Sequence, residues 1–115
     1  MDRRQTGTLA ENSAAAFLES QGFIILARNF LLRIGELDIV ARAGDLLVVA
    51  EVRTRASEKF GGAAASVGPG KQRRIAATTS LFLQRRPELQ RCCVRFDVIV
   101  IRDGAVEWIK HAFEV

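Results

Sequence analysis

The chain has 115 residues, 49% of them hydrophobic, and a formal net charge of +4. This length predicts one domain over residues 1–115, and no apolar run approaches the roughly 18 residues of a membrane span, which excludes a helical membrane protein. The N-terminus is polar and lacks a signal core, and the adjacent Cys92 and Cys93 disfavour a mutual disulfide. We therefore expect a protein of the reducing cytoplasm.

The first half of the chain predicts a helix followed by three strands. An apolar stripe predicts a helix over residues 8–21, which Gly22 would end. Thr6 or Thr8 would cap this helix, and Glu11 stands at the capping-box spacing from Thr8. The expected strands cover residues 23–28, 36–42 and 46–54, with a tight turn at Gly44-Asp45. The third strand is apolar on both faces at its start, so we expect it in the centre of the sheet.

The second half predicts a loop, a helix and a hairpin. Residues 56–70 are rich in glycine and lack a strong period, which is typical of a flexible loop. A helix is expected over residues 71–84, with Pro87 beyond its end. Strands over residues 94–101 and 106–109 would be joined by a turn at Asp103-Gly104. The predicted element order is αβββαββ.

Two carboxylates stand within apolar strand sequence. Asp38 lies among Leu37, Ile39 and Val40, and Glu51 follows the apolar run over residues 46–50. A buried and unpaired carboxylate costs several kcal/mol, so each acid needs a positive partner. A divalent metal and a buried ion pair both satisfy that need, and the residues alone leave the two alternatives open.

The predicted hairpin brings the two acids together. Side chains alternate along a strand, which places Glu51 and Arg53 on one face. A turn around residues 43–45 sets Asp38 level with Glu51, at the spacing of about 5 Å that separates cross-strand neighbours. Two carboxylates at this spacing are able to share Mg²⁺, with coordination positions left for water and phosphate. Such a site is suited to phosphodiester hydrolysis.

The pattern Asp38…Glu51-x-Arg53 resembles the Asp…Glu-x-Lys signature of restriction-endonuclease-like nucleases, with Arg in place of Lys. A wider pattern extends over nearly the whole chain and consists of Gly7, Ala10-Glu11, Gly22-Phe23, Asn29, GELDIV, EVRTR, Phe60-Gly61-Gly62, Lys71, Arg95-Phe96-Asp97 and Val106-Glu107-Trp108-Ile109. In this pattern the chain resembles the YraN family of bacterial predicted endonucleases, which are related to archaeal Holliday-junction resolvases. The resemblance implies an α/β fold (α+β by a stricter convention), with a mixed central sheet flanked by helices, in one nuclease-like domain.

The resemblance also implies a metal centre. Asp38 and Glu51 would bind Mg²⁺ or Mn²⁺, with the Val52 carbonyl as a third ligand. Glu11, on the first helix, would reach the same site directly or through water. Arg53 would clamp a phosphate, but its guanidinium, with a pKa above about 12, cannot act as a base. These four acidic and basic residues form the expected catalytic set.

Phosphate binding is expected from four further basic residues. Lys71 follows the glycine-rich loop at a helix start, where the helix N-terminus also attracts anions. Arg55, in EVRTR, and the pair Arg73 and Arg74 would contact nucleic acid. Arginine supplies 14 of the 17 basic residues, and its fork suits phosphate. A solvated helix face is the alternative interpretation of the Arg73-Arg74 pair.

Three acids have competing interpretations. Glu11 belongs either to the site or only to the helix capping box. Glu36 shares a strand face with Asp38 and is either a further ligand or a solvated charge at the strand end. Asp97 belongs to the site or pairs with Arg95, and we expect the structural pairing.

We expect a metal-dependent endonuclease that hydrolyses nucleic-acid phosphodiesters, with branched DNA as the substrate implied by the resolvase relation. Action on paired strands would suit a homodimer, and no membrane partner is expected. One alternative is a non-catalytic nucleic-acid-binding protein of nuclease fold. Another is an interaction protein whose acids are in structural ion pairs.

Overall fold

The computed structural model of the chain describes residues 3–54 and 67–114. The elements are α1 (Arg3–Ser20), β1 (Ile24–Leu32), β2 (Gly35–Ala43), β3 (Leu46–Arg53), α2 (Pro69–Gln84), a 3₁₀ turn (Pro87–Leu89), β4 (Cys93–Arg102) and β5 (Ala105–Phe113). This succession confirms the predicted order αβββαββ. Neither of the two described α-helices is long and apolar enough to cross a membrane.

The five strands form one mixed sheet in the order β1-β2-β3-β4-β5. Neighbouring strands are antiparallel except β3 and β4, which are parallel. A parallel pair needs a crossover connection, and α2 lies in it. The α+β class and the mixed sheet are thus confirmed, and the architecture is compatible with a restriction-endonuclease-like fold.

The helices cover opposite faces of the sheet. Leu18 of α1 is buried with Val48 of β3 on one face. Ile75 and Phe82 of α2 are buried with Val49 on the other. Because Val48 and Val49 point in opposite directions, β3 is covered on both sides, which explains its continuous apolar run. The strand is the central one of the sheet, as its sequence predicted.

Several predicted boundaries were wrong. The helix α1 begins at Arg3, so Thr6 and Thr8 lie within it and neither is at the expected cap position. The strand β1 continues to Leu32, beyond Asn29, whose φ is 52°. Likewise β5 continues beyond His111, whose φ is 53°. A positive φ is uncommon for residues other than glycine, so a strand that contains one is harder to follow in the sequence.

The predicted loop over residues 56–70 falls largely outside the described residues. Its last two residues, Pro69 and Gly70, belong to α2. Proline at the first helical position is preorganised for the helix and loses no hydrogen bond there, since that N–H has no partner within the helix. The helix therefore starts two residues before the predicted start at Lys71.

Candidate active site

The candidate site lies where the ladder between β2 and β3 stops. The last paired residues are Ile39 and Ala50, and Asp38 and Glu51 follow them. The Val52 N–H donates to Asp38 Oδ2 at 3.0 Å, and the Asp38 N–H lies 3.5 Å from Glu51 Oε2. The two acids are thus adjacent at the carboxyl end of β3, as the predicted hairpin requires.

Glu51 is the most deeply buried group of the site, with 1% of its surface exposed. It lies two residues after Val49 and so faces α2. Its Oε1 atom has no hydrogen-bond partner within the described part of the chain. Burial raises the pKa of Glu51 to about 7, and the charge of Asp38 adds to the rise, while the cations Lys71 and Arg53 oppose it.

Arg53 lies beside both acids, on the face that alternation predicted. Its two terminal nitrogens are 3.9 Å from Asp38 Oδ2 and 3.9 Å from Glu51 Oε1. One of them also donates to the Val52 carbonyl at 3.0 Å. The carbonyl expected as a third metal ligand therefore already accepts a hydrogen bond from the guanidinium.

Lys71 comes from a different element, the first turn of α2. Its ammonium lies 3.4 Å from Glu51 Oε1. This distance is shorter than the 3.9 Å between Arg53 and the same oxygen. Sequence reasoning placed Lys71 at a phosphate and missed this contact with the carboxylate. No local signal could have found the contact, because it depends on how α2 packs across the sheet.

The two arginines that follow Lys71 are exposed on α2. Arg74 also packs against Gly35, the first residue of β2, since a Cβ on that glycine would lie 3.3 Å from Arg74 Cβ. This contact brings Arg74 near the strand that carries Asp38. Arg55, the fourth expected phosphate ligand, lies outside the described residues.

Glu11 reaches the neighbourhood of the site through Asn29. Its Oε2 atom accepts a hydrogen bond from Asn29 Nδ2 at 2.8 Å and lies 3.9 Å from Arg28. Asn29 lies between the β1 residues that pair with Ile39 and Leu37, and so opposite Asp38. Sequence reasoning gave Asn29 no role in the site, although asparagine adopts a positive φ more readily than most residues.

Glu36 lies close enough to Asp38, Glu11 and Lys71 for their charges to affect its pKa. Desolvation of its carboxyl, in a residue that is otherwise exposed, raises its pKa, and the charges of Asp38 and Glu11 add to the effect. Lys71 opposes the rise. The charges of Asp38 and Glu11 thus act on the carboxyl of Glu36 at this end of the sheet.

Asp97 belongs to a different cluster. It is fully buried, and its carboxylate accepts two hydrogen bonds from Arg95, at 2.9 and 2.8 Å. The Trp108 indole and the His111 N–H also donate to it, at 2.8 and 2.9 Å. Asp97 pairs in register with Ala50 and so faces α1, away from Glu51. The expected structural pairing with Arg95 is confirmed.

Comparison with known proteins assigns the family. The model of the family described as "Uncharacterised protein family UPF0102" matches residues 10–101. A UPF0102 protein of Herminiimonas arsenicoxydans is 44% identical over 112 residues, which is 97% of this chain and 89% of that protein. A second, from Dechloromonas aromatica strain RCB, is 45% identical over 107 residues, covering 93% and 87% of the two chains. The chain belongs to the UPF0102 family. The resemblance to YraN proteins is thereby confirmed.

Family membership covers the whole candidate site but assigns no activity to it. Asp38, Glu51, Arg53 and Lys71 all lie within the stretch that the UPF0102 family shares. The chemistry of the site depends on the side chains themselves.

The donor set fits a hydrated hard cation. No group of three or more His, Cys, Asp or Glu side chains able to hold a metal occurs in residues 3–54 and 67–114. Asp38 and Glu51 form a pair of carboxylates instead, and Mg²⁺ is commonly held by one or two carboxylates, with water and substrate phosphate completing its shell. The buried Glu51 Oε1, which lacks a hydrogen bond within the described residues, is the atom that most needs such a cation.

Proposed function

We propose that this UPF0102 protein is a metal-dependent nuclease that hydrolyses phosphodiester bonds of DNA. The observation that carries the proposal is the placement of the buried, hydrogen-bond-deficient Glu51 Oε1 beside Asp38 at the carboxyl end of β3. Carboxylates at such a position favour a cation, and cations bridge carboxylates to phosphates. The basic composition of the chain supports a polyanionic substrate.

In this proposal Asp38 and Glu51 hold Mg²⁺ or Mn²⁺. When bound, the metal would neutralise phosphate charge and make water a better nucleophile. In the reaction, a water oxygen bonds to phosphorus as the ester P–O bond breaks, and the departing oxygen takes up a proton from solvent. The roles of the protein are to hold the phosphate in line and to stabilise its added negative charge.

Arg53 supplies a fixed positive charge that stabilises the added negative charge of the phosphate. Its hydrogen bond to the Val52 carbonyl orients the guanidinium beside both acids. A planar guanidinium held in this way can donate two parallel hydrogen bonds to a phosphate. Because arginine stays protonated, Arg53 cannot accept the proton of the attacking water, which in this proposal passes to solvent or to the phosphate.

The proposed partner is DNA, with branched DNA as the proposed substrate and a homodimer as the proposed acting form. Lys71 and the exposed Arg73 and Arg74 lie along the start of α2, next to the acids, which supports a phosphate track there. We also propose that the protein works in a reducing compartment such as the cytoplasm. The adjacent Cys92 and Cys93 disfavour a mutual disulfide, which supports this placement.

A cleavage assay tests the function. The protein is incubated with a four-way DNA junction, a duplex and a single strand in Mn²⁺, alongside its Asp38→Asn and Glu51→Gln variants. Asp45→Asn is the matched control, because Asp45 is an exposed acid at the opposite end of the same hairpin. We expect cleavage by the wild type and the control and none by the site variants. Equal cleavage by Glu51→Gln, or no cleavage of any substrate, would contradict the proposal.

A second candidate is a DNA-binding protein that does not cleave. The hydrogen bond from Arg53 to the Val52 carbonyl favours it, because it occupies the backbone ligand that a fuller metal shell would use. This candidate predicts salt-dependent DNA binding, with Mn²⁺ present, but no product on any substrate. The same assay, run beside a binding measurement, separates the two functions.

A further inference from the structure

The buried oxygen of Glu51 has two cations as neighbours and no hydrogen bond to another described residue. Lys71 Nζ lies 3.4 Å from Oε1, and Arg53 lies 3.9 Å from it. A carboxylate that is 1% exposed cannot stay ionised without compensating charge. In the metal-free protein, these two side chains provide that charge.

The two cations differ in how firmly they are held. The Arg53 side chain is 19% exposed, donates to the Val52 carbonyl and also lies near Asp38. The Lys71 side chain is 41% exposed, and Glu51 is its partner among the described ion pairs. An ammonium on a flexible four-carbon stem is easily rehydrated, whereas a guanidinium that donates to a backbone carbonyl is held more firmly. Moving Lys71 away from Glu51 therefore costs less free energy than moving Arg53 away.

We propose that Lys71 is an exchangeable counter-ion. It neutralises Glu51 in the metal-free protein, gives up Oε1 to a divalent cation, and then contacts a DNA phosphate from the first turn of α2. An ammonium and a divalent cation repel each other strongly at ion-pair distance, so they do not share one carboxylate oxygen. The proposal rests on the proposed function, because both the metal and the phosphate come from it.

The position of Lys71 supports the second half of the exchange. It lies at the start of a 16-residue helix whose N-cap, Gly68, makes no side-chain capping hydrogen bond. The N–H groups of a helix start favour an anion. When the Lys71 side chain moves away from Glu51, it thus stays beside the N-terminus of α2, which also attracts phosphate. Metal loading would in this way release the residue that receives the substrate.

Mn²⁺ titration by calorimetry, without DNA, tests the exchange. The variants are Lys71→Met, which keeps the stem and removes the charge, and Arg85→Met, which makes the same charge change at an exposed residue at the other end of α2. We expect Lys71→Met to bind Mn²⁺ about tenfold more tightly than the wild type, a change typical of removing a like charge from beside an ionic site. Arg85→Met should stay within about twofold of the wild type, because distance, solvent and salt screen its charge from Glu51.

DNA binding in Ca²⁺ gives the second readout. Lys71→Met should bind DNA several-fold more weakly than the wild type, and Lys71→Arg should restore binding. Wild-type or weaker Mn²⁺ affinity in Lys71→Met would overturn the exchange while leaving the nuclease function intact. Absence of Mn²⁺ binding in the wild type and in Lys71→Met together would overturn both. Lys71→Gln, with a melting curve for each variant, guards against loss of folding.

Discussion

Gly35 and Thr78 leave no room between them for a side chain. A Cβ on Gly35, the first residue of β2, would lie 2.7 Å from Thr78 Oγ1 and 3.3 Å from the Arg74 carbonyl oxygen. Thr78 is itself held, because its hydroxyl donates to that same carbonyl at 2.7 Å. This close approach sets α2 against the strand that carries Asp38, and thus sets Lys71 against Glu51.

Gly35→Ala should destabilise the protein by about 1–3 kcal/mol, the usual cost of forcing an extra carbon into a packed interface. The added methyl group must displace Thr78 or push α2 away from β2. Urea unfolding measures the loss. Gly70→Ala is the control, since its Cβ would come no closer than 3.5 Å to a side-chain atom of Arg74, so its stability should be unchanged or slightly higher.

A double-mutant cycle locates the clash. Thr78→Ala removes the atom at 2.7 Å, so Gly35→Ala should cost less in that background than in the wild type. Equal costs in the two backgrounds would show that Thr78 is not what the methyl group meets.

Glu51 should make the metal-free protein less stable as pH rises. Its pKa is 4.5 in the unfolded chain and about 7 in the folded protein, so the folded state binds more protons between these values. Stability is therefore greatest below pH 4.5 for this group and falls as pH rises through 7. The pKa difference corresponds to about 3 kcal/mol, at about 1.4 kcal/mol for each pKa unit.

Glu51→Gln removes this dependence, because the amide resembles the protonated acid. In EDTA we expect the variant to be more stable than the wild type by about 1–3 kcal/mol at pH 8, and equal to it within error at pH 4, below the pKa of the unfolded carboxyl. Glu19→Gln, on the exposed face of α1, should match the wild type at both values. A Glu51→Gln protein that is less stable at pH 8 would mean that Lys71 and Arg53 stabilise the carboxylate outright.

The element order and the core of the sheet could be predicted because their signals are local. The lengths of β1 and β5 could not, because each strand continues through a residue of positive φ that a distant acid holds. Glu11 of α1 accepts from the side chain of Asn29, and Asp97 of β4 accepts from the N–H of His111. Hydrogen bonds between distant elements of this kind produce no periodic pattern in the sequence of either strand.

The contacts of the candidate site likewise fall into those that the sequence predicted and those that it could not predict. Alternation and the tight hairpin were enough to bring Asp38, Glu51 and Arg53 together. The contact between Lys71 and Glu51 was beyond sequence reasoning, because it depends on the packing of α2 over β2 at Gly35. Whether the assembled group binds metal and cleaves DNA stays a prediction.

Asp97 should be essential for stability and dispensable for metal binding. Asp97→Ala leaves Arg95 and the Trp108 indole without their buried acceptor, and breaking such a pair costs about 3–5 kcal/mol. Urea unfolding followed by Trp108 fluorescence measures the loss, with Glu107→Ala as an exposed control on β5. Folded Asp97→Ala should keep the wild-type Mn²⁺ affinity. A large drop in that affinity would place Asp97 in the site after all.

Arg73 and Arg74 should contribute to DNA binding through phosphate contacts. Replacing either by Ala should weaken binding and lower the slope of log Kd against log salt by about 1, because each lost contact releases about one counter-ion fewer. Fluorescence anisotropy with a labelled duplex, in Ca²⁺ at several salt concentrations, measures both quantities.

Arg85→Ala is the matched control for this measurement. Arg85 is exposed at the other end of α2, about 18 Å from Arg73 at the helical rise per residue, and its N–H bonds to Leu83 as part of the C-terminal cap. We expect its salt slope to equal that of the wild type. If all three variants lowered the slope equally, DNA would be held by diffuse attraction to a basic helix. The candidate site at the start of α2 would then lose its proposed phosphate track.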